Sequence, residues 1–196
     1  TRRSIQFFVD TYQNPNDSAR NMNPLLTSAA ALSVAFATSF SAQAQELSGN
    51  AAAGGKKAEM CIGCHGIPGY KATIPEVYRV PMLNGQNAKY IVTALGEYKK
   101  GARRNPTMRG IAASLTDQDM ADLAAFYASS AGPSGAAAAA TPPAEVAALL
   151  TKGNCASCHG DNYSKPIDPS YPKLAGQHAD YLFVALKAYK TENNPQ

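Results

Sequence analysis

The sequence predicts an all-α protein made of two tandem copies of one small unit, and three observations carry that prediction. Apolar residues recur at the three-and-four spacing of a buried helical face, as at Tyr90, Ile91, Ala94, Leu95 and Tyr98. No segment keeps the two-residue alternation of a strand for long. The chain also repeats itself: Pro81-Met82-Leu83-Asn84-Gly85-Gln86 corresponds to Pro172-Lys173-Leu174-Ala175-Gly176-Gln177. The register runs on through Tyr90 and Tyr181, Leu95 and Leu186, and Tyr98 and Tyr189. The offset is 91 residues there and 94 at two cysteine pairs, so the second copy has a loop three residues shorter.

In chain order, residues 25–40 are an apolar Leu, Ala, Val and Phe mixture ahead of the small-residue sequence Ala42-Gln43-Ala44. This reads as an export leader over 22–44, with a membrane anchor as the rival reading. Residues 1–21 then precede the start at Met22 and read as an upstream, non-native extension. From Gln45 onward 15 Lys+Arg face 12 Asp+Glu, a net charge of +3 where the whole chain has +4. That balance is too weak and too evenly spread for nucleic acid.

The first unit spans 45–131. An Ala-rich helix over 50–60 leads into Cys61, proline-rich loops follow over 67–81, and a helix is expected over 86–100. Thr116 with Asp119 resembles a capping box, and Met120, Leu123, Ala124 and Tyr127 make the buried stripe of a closing helix. Residues 132–144 hold Gly, Pro, Ser and a run of alanines with no large apolar side chain, which marks a linker. The second unit, 145–196, repeats the pattern with a helix over 145–150 before Cys155, but it has no counterpart of the closing helix and is expected to be incomplete.

The chemistry lies in the four cysteines and two of the three histidines. They form Cys61-Ile62-Gly63-Cys64-His65 and Cys155-Ala156-Ser157-Cys158-His159. Cysteines three apart on a helical turn share a face, and the adjacent histidine points its ring from the same edge. That arrangement suits a haem joined by two thioethers, its iron bound by the imidazole. A zinc site wants its cysteine pairs some 15–20 residues apart, and 90 residues lie between Cys64 and Cys155. A thioredoxin-like dithiol wants a parallel sheet, and structural disulfides give no reason for both histidines.

With these motifs, the Pro-x-Leu-x-Gly-Gln segments and the stretch from Leu115 to Tyr127, the chain resembles the class I c-type cytochromes, in tandem form the two-haem cytochrome c4 family. The resemblance implies two cytochrome c domains, each wrapped around one covalent haem held by Cys61 and Cys64 or by Cys155 and Cys158. It implies His65 and His159 as axial iron ligands, with the carbonyls of Pro81 and Pro172 accepting from their rings. It implies a methionine on the far face of each haem. Met108, in an Asn-Pro-Thr-Met loop ahead of the closing helix, is the candidate in the first unit. In the second, the register points to position 199, beyond the last residue, or else to a five-coordinate iron. His178 matches Asn87 at a helix start and is expected to be solvated.

The function so implied is a periplasmic electron carrier, not an enzyme, exchanging electrons with redox proteins such as a membrane-bound oxidase or dehydrogenase and keeping no membrane span once its leader is removed. Two alternatives stand: the electron-accepting cytochrome subunit of a larger oxidoreductase, and a haem peroxidase or ligand sensor using an open second haem. Lys99, Lys100, Arg103, Arg104 and Arg109 cluster near Met108, either as a patch that steers an acidic partner or as a solvated helix end.

Overall fold

The computed structural model describes residues 47–73, 76–132 and 141–190, all of them within one compact unit, Gln45–Gln196. The leader and the upstream extension expected over 1–44 lie outside the described residues, as does most of the expected linker. Eight helices and one small ribbon are described: α1 (Ala51–Lys57), α2 (Glu59–His65), β1 (Lys71–Ala72), β2 (Tyr78–Arg79), α3 (Ala88–Lys100), α4 (Pro106–Ala113), α5 (Asp117–Ser129), α6 (Ala144–Lys152), α7 (Ala156–His159) and α8 (Ala179–Lys190).

In the first unit α5 lies across α1 and α3, and α4 packs on α3. The core joins Ala58, Ile91, Leu115, Met120, Leu123, Ala124 and Tyr127, with Cys61, Leu83 and Leu95 against its margin. The closing stripe anticipated from Met120 to Tyr127 is therefore buried, and burial of such side chains is the main force holding α5 down. α5 starts where the capping box predicts. The Thr116 hydroxyl accepts from the Asp119 N–H at 3.1 Å and the Asp119 carboxylate accepts from the Thr116 N–H at 2.9 Å.

Where α1 crosses α5 the backbones nearly touch, and Gly54 makes this close approach sterically feasible. A Cβ at that position would stand 2.0 Å from the Asp122 carbonyl oxygen. Buried Asp122 ties the crossing by accepting from the Asn50 N–H at 2.8 Å and from Lys57 Nζ at 2.7 Å. Lys57 also pairs with Asp119 at 2.7 Å.

Three details depart from the expected helix pattern. The opening helix breaks at Ala58, and its continuation α2 carries the first cysteine pair itself. The loop after His65 contains an antiparallel ribbon, Lys71 opposite Arg79 and Ala72 opposite Tyr78, too short to leave an alternation in sequence. Met108 sits on a helix instead of a loop, because Asn105 caps α4 and Pro106 occupies a first-turn position that suits proline.

In the second unit α8 repeats α3, burying Val184 and Ala188. Leu186, the register mate of core-packed Leu95, is 69% exposed, and among the described residues no helix plays the part of α5 over it.

Candidate functional site

The cysteines and histidines are placed by two matching local structures. Cys61, Cys64 and His65 lie on α2, while Cys155 precedes α7, which holds Cys158 and His159. All four thiols are free and half-buried, so each pair is available for thioether bonds and neither forms the disulfide that the sequence left open. The His65 ring is tethered by its Nδ1, 2.7 Å from the Pro81 carbonyl oxygen. His159 repeats this with Pro172 at 3.0 Å. A carbonyl only accepts, so Nδ1 carries the proton in both rings and the Nε2 lone pair is left for a metal.

This donor set fits a c-type haem: two free thiols three residues apart and an imidazole oriented with its other nitrogen bare. Burial lowers the His65 pKa, against the opposing pull of the Pro81 carbonyl, and so favours the neutral ring that ligates metal. Burial raises the Cys61 thiol, with the nearby Tyr127 hydroxyl acting in the opposite sense. The Tyr127 hydroxyl is itself buried without a hydrogen-bond partner of ordinary geometry, and burial together with the Cys61 sulfur pushes its pKa well above the usual value.

Met108 stands at the third position of α4, half-buried. Its N–H donates to Asn105 Oδ1 at 3.0 Å, and Asn105 Nδ2 donates to the Tyr78 hydroxyl at 3.1 Å. Asn105 is only 9% exposed, so the methionine's backbone hangs on a buried anchor that sequence inspection passed over. The Asn-Pro dipeptide at a helix start was the available signal. Met60 is exposed beside Cys61, Met120 is in the core, and residues 145–196 contain no methionine. His178 is half-buried immediately before α8, its N–H donating to Gln177 Oε1 at 2.9 Å.

The cationic cluster near Met108 divides in two. Lys99, Lys100, Arg104 and Arg109 are exposed, but Arg103 is 7% exposed, its guanidinium 5.0 Å from the Tyr98 ring centroid and 5.9 Å from that of Tyr90. Aromatic faces hold this cation in place, so Arg103 is not part of the exposed patch.

The copies also meet each other, through the segment by which they were recognised as copies. Gln86 Oε1 accepts from the Lys173 N–H at 2.8 Å and Gln86 Nε2 donates to the Lys173 carbonyl at 3.0 Å. Gln177 Oε1 accepts from the Met82 N–H at 3.1 Å and Gln177 Nε2 donates to the Met82 carbonyl at 3.0 Å. Lys173 is the register mate of Met82, so the contact is reciprocal, as at a two-fold interface. Arg79 adds an ion pair to Asp180 at 3.1 Å, and the Tyr78 and Tyr181 rings lie 6.1 Å apart.

Comparison with known proteins places these motifs. The family model described as Cytochrome c matches residues 51–131 and again 143–196. A cytochrome c4 of Pseudomonas aeruginosa is 34% identical over 152 residues, covering 72% of each chain. A protein of Stutzerimonas stutzeri named thiosulfate dehydrogenase electron acceptor is 34% identical over 139 residues, 66% of this chain and 62% of its own. Among solved structures, reduced cytochrome c4 from Pseudomonas stutzeri superposes with a TM-score of 0.59 at 29% identity, covering 75% of this chain and 83% of that one.

Proposed function

Given that the chain belongs to the cytochrome c family, in its two-haem cytochrome c4 form, we propose that its cysteines and histidines divide the work of electron transfer between two equivalent sites. It is an electron-transfer protein with two haem c groups. Cys61 and Cys64 hold one of them and Cys155 and Cys158 the other. His65 and Met108 would bind the iron of the first, and His159 that of the second. When bound, each haem supplies a single iron that gains and loses one electron.

The residues act by holding that iron steady. Pro81 and Pro172 fix the histidine rings, so neither imidazole has to turn when the iron changes charge. Met108 brings a soft thioether, which favours the ferrous state and raises the potential relative to two nitrogen ligands. The observation that carries this reading is the duplication of the histidine anchor, 2.7 Å in one copy and 3.0 Å in the other. The carrier works in the periplasm, as an exported protein, and catalyses no reaction of its own. Its test is a reductive titration of the haem-loaded protein: two electrons taken up per chain support it, and one or none removes it.

A second reading concerns the donor. The relative named as a thiosulfate dehydrogenase electron acceptor favours a dehydrogenase of that kind as the source of electrons. Reduction of the haems on mixing with such an enzyme and thiosulfate supports it. Haems that stay oxidised while a generic reductant reduces them exclude that donor.

A further inference from the structure

The reciprocal glutamine contact reaches further than holding two units together. Pro81 C=O and Met82 N–H belong to one peptide group, and so do Pro172 C=O and Lys173 N–H. In the first unit the carbonyl of this group accepts from His65 while its N–H donates to Gln177 of the other copy. In the second, the carbonyl accepts from His159 while the N–H donates to Gln86. Hydrogen bonds in series polarise one another: an amide whose N–H is engaged has a more negative carbonyl oxygen and accepts more strongly. Gln86 is buried and Gln177 half-buried, so water screens this chain of bonds little.

We propose that each unit's glutamine tunes the haem of the opposite unit, Gln177 through the Pro81–Met82 peptide and His65, and Gln86 through the Pro172–Lys173 peptide and His159. The proposal rests on the reading that His65 and His159 ligate iron. A stronger acceptor at Nδ1 makes the imidazole a more basic ligand and favours ferric iron, so the glutamine holds the opposite haem's potential down. The histidine anchors lie within each unit, whereas the glutamine bonds that tune them cross between the copies and exist only while the copies stay docked.

The test uses the full haem-loaded chain and follows both reduction waves by spectroelectrochemistry. Met108→His in the first unit exchanges a thioether for a nitrogen ligand and lowers that haem's wave, which labels the two haems. On this background Gln86→Leu, which fills the same space without an acceptor, raises the second haem's wave and leaves the first in place. Gln177→Leu raises the first and leaves the second. Gln86→Glu keeps an acceptor oxygen for the Lys173 N–H, and its second wave stays at or below its starting position. Simple loosening of the interface moves both waves in both leucine variants, and that result overturns the proposal. So does each glutamine moving its own unit's wave, or neither wave moving. If Met108→His displaces neither wave, the Met108 assignment alone has failed; the two leucine variants must still raise different waves, and both raising the same wave overturns the coupling. A displaced first wave followed by the wrong glutamine response overturns the coupling alone.

Discussion

Asn105 offers the most quantitative test of how the first site is built. Asn105→Ala removes the acceptor that caps α4 at the Met108 N–H, 3.0 Å away. Loss of an N-cap of this kind costs about 1 kcal/mol. It also takes the 3.1 Å donor from the Tyr78 hydroxyl, in a residue only 3% exposed. Leaving a buried hydroxyl without its partner costs about 1–3 kcal/mol. Together these give about 2–4 kcal/mol, and for a chain of this size roughly 2–4 °C of melting temperature accompanies each kcal/mol. The loss is local to the turn that presents Met108, so with Met108 as the proposed iron ligand the methionine-to-iron charge-transfer band of the oxidised protein weakens well before global unfolding. Asn105→Asp keeps a cap acceptor and an oxygen for the Tyr78 hydroxyl, and retains the band. An Asn105→Ala protein with unchanged melting and an unchanged band would refute the claim that this residue holds the ligand turn.

Three further outcomes follow from the same structure. Gly54→Ala drives a methyl group to 2.0 Å from the Asp122 carbonyl oxygen and must push α1 off α5, costing about 1–3 kcal/mol or more, read by thermal unfolding. Lys57 beside Asp122, and Arg79 beside Asp180, hold each carboxyl down to about 2. A depressed carboxylate pKa gives stability that is complete above the ordinary value near 4 and is lost as pH falls through the folded one, so denaturation midpoints fall between about pH 4 and 2, and Asp122→Asn flattens its share of that fall. If the exposed cations steer an acidic redox partner, charge reversal at Lys100 and Arg109 abolishes the salt dependence of the bimolecular electron-transfer rate, and an unchanged dependence removes steering.

Much of this protein could be read from residue order because the informative features were local. The cysteines and histidine share one turn, the Thr116 and Asp119 box is four residues long, and the stripe from Met120 to Tyr127 is one helix face. What escaped depended on which parts of the chain meet in space. Gln86 and Gln177 stood out as marks of duplication, yet likeness between copies says that they fold alike, not that they touch through the matching segment. Arg103 counted as surface charge because nothing in its neighbourhood along the chain shows two tyrosine rings closing over it from α3. The ribbon from Lys71 to Arg79 involves only two residues on each strand, too few for any period to emerge.

The central claim is that each Cys-x-x-Cys-His motif takes one haem, and the most direct test is the intact mass of the denatured protein made in cells that attach haem to exported proteins. The expected mass is that of the polypeptide plus two haems, and plus one in a chain carrying Cys155→Ala and Cys158→Ala. A native chain bearing fewer than two haems, or a variant still bearing two, would contradict it.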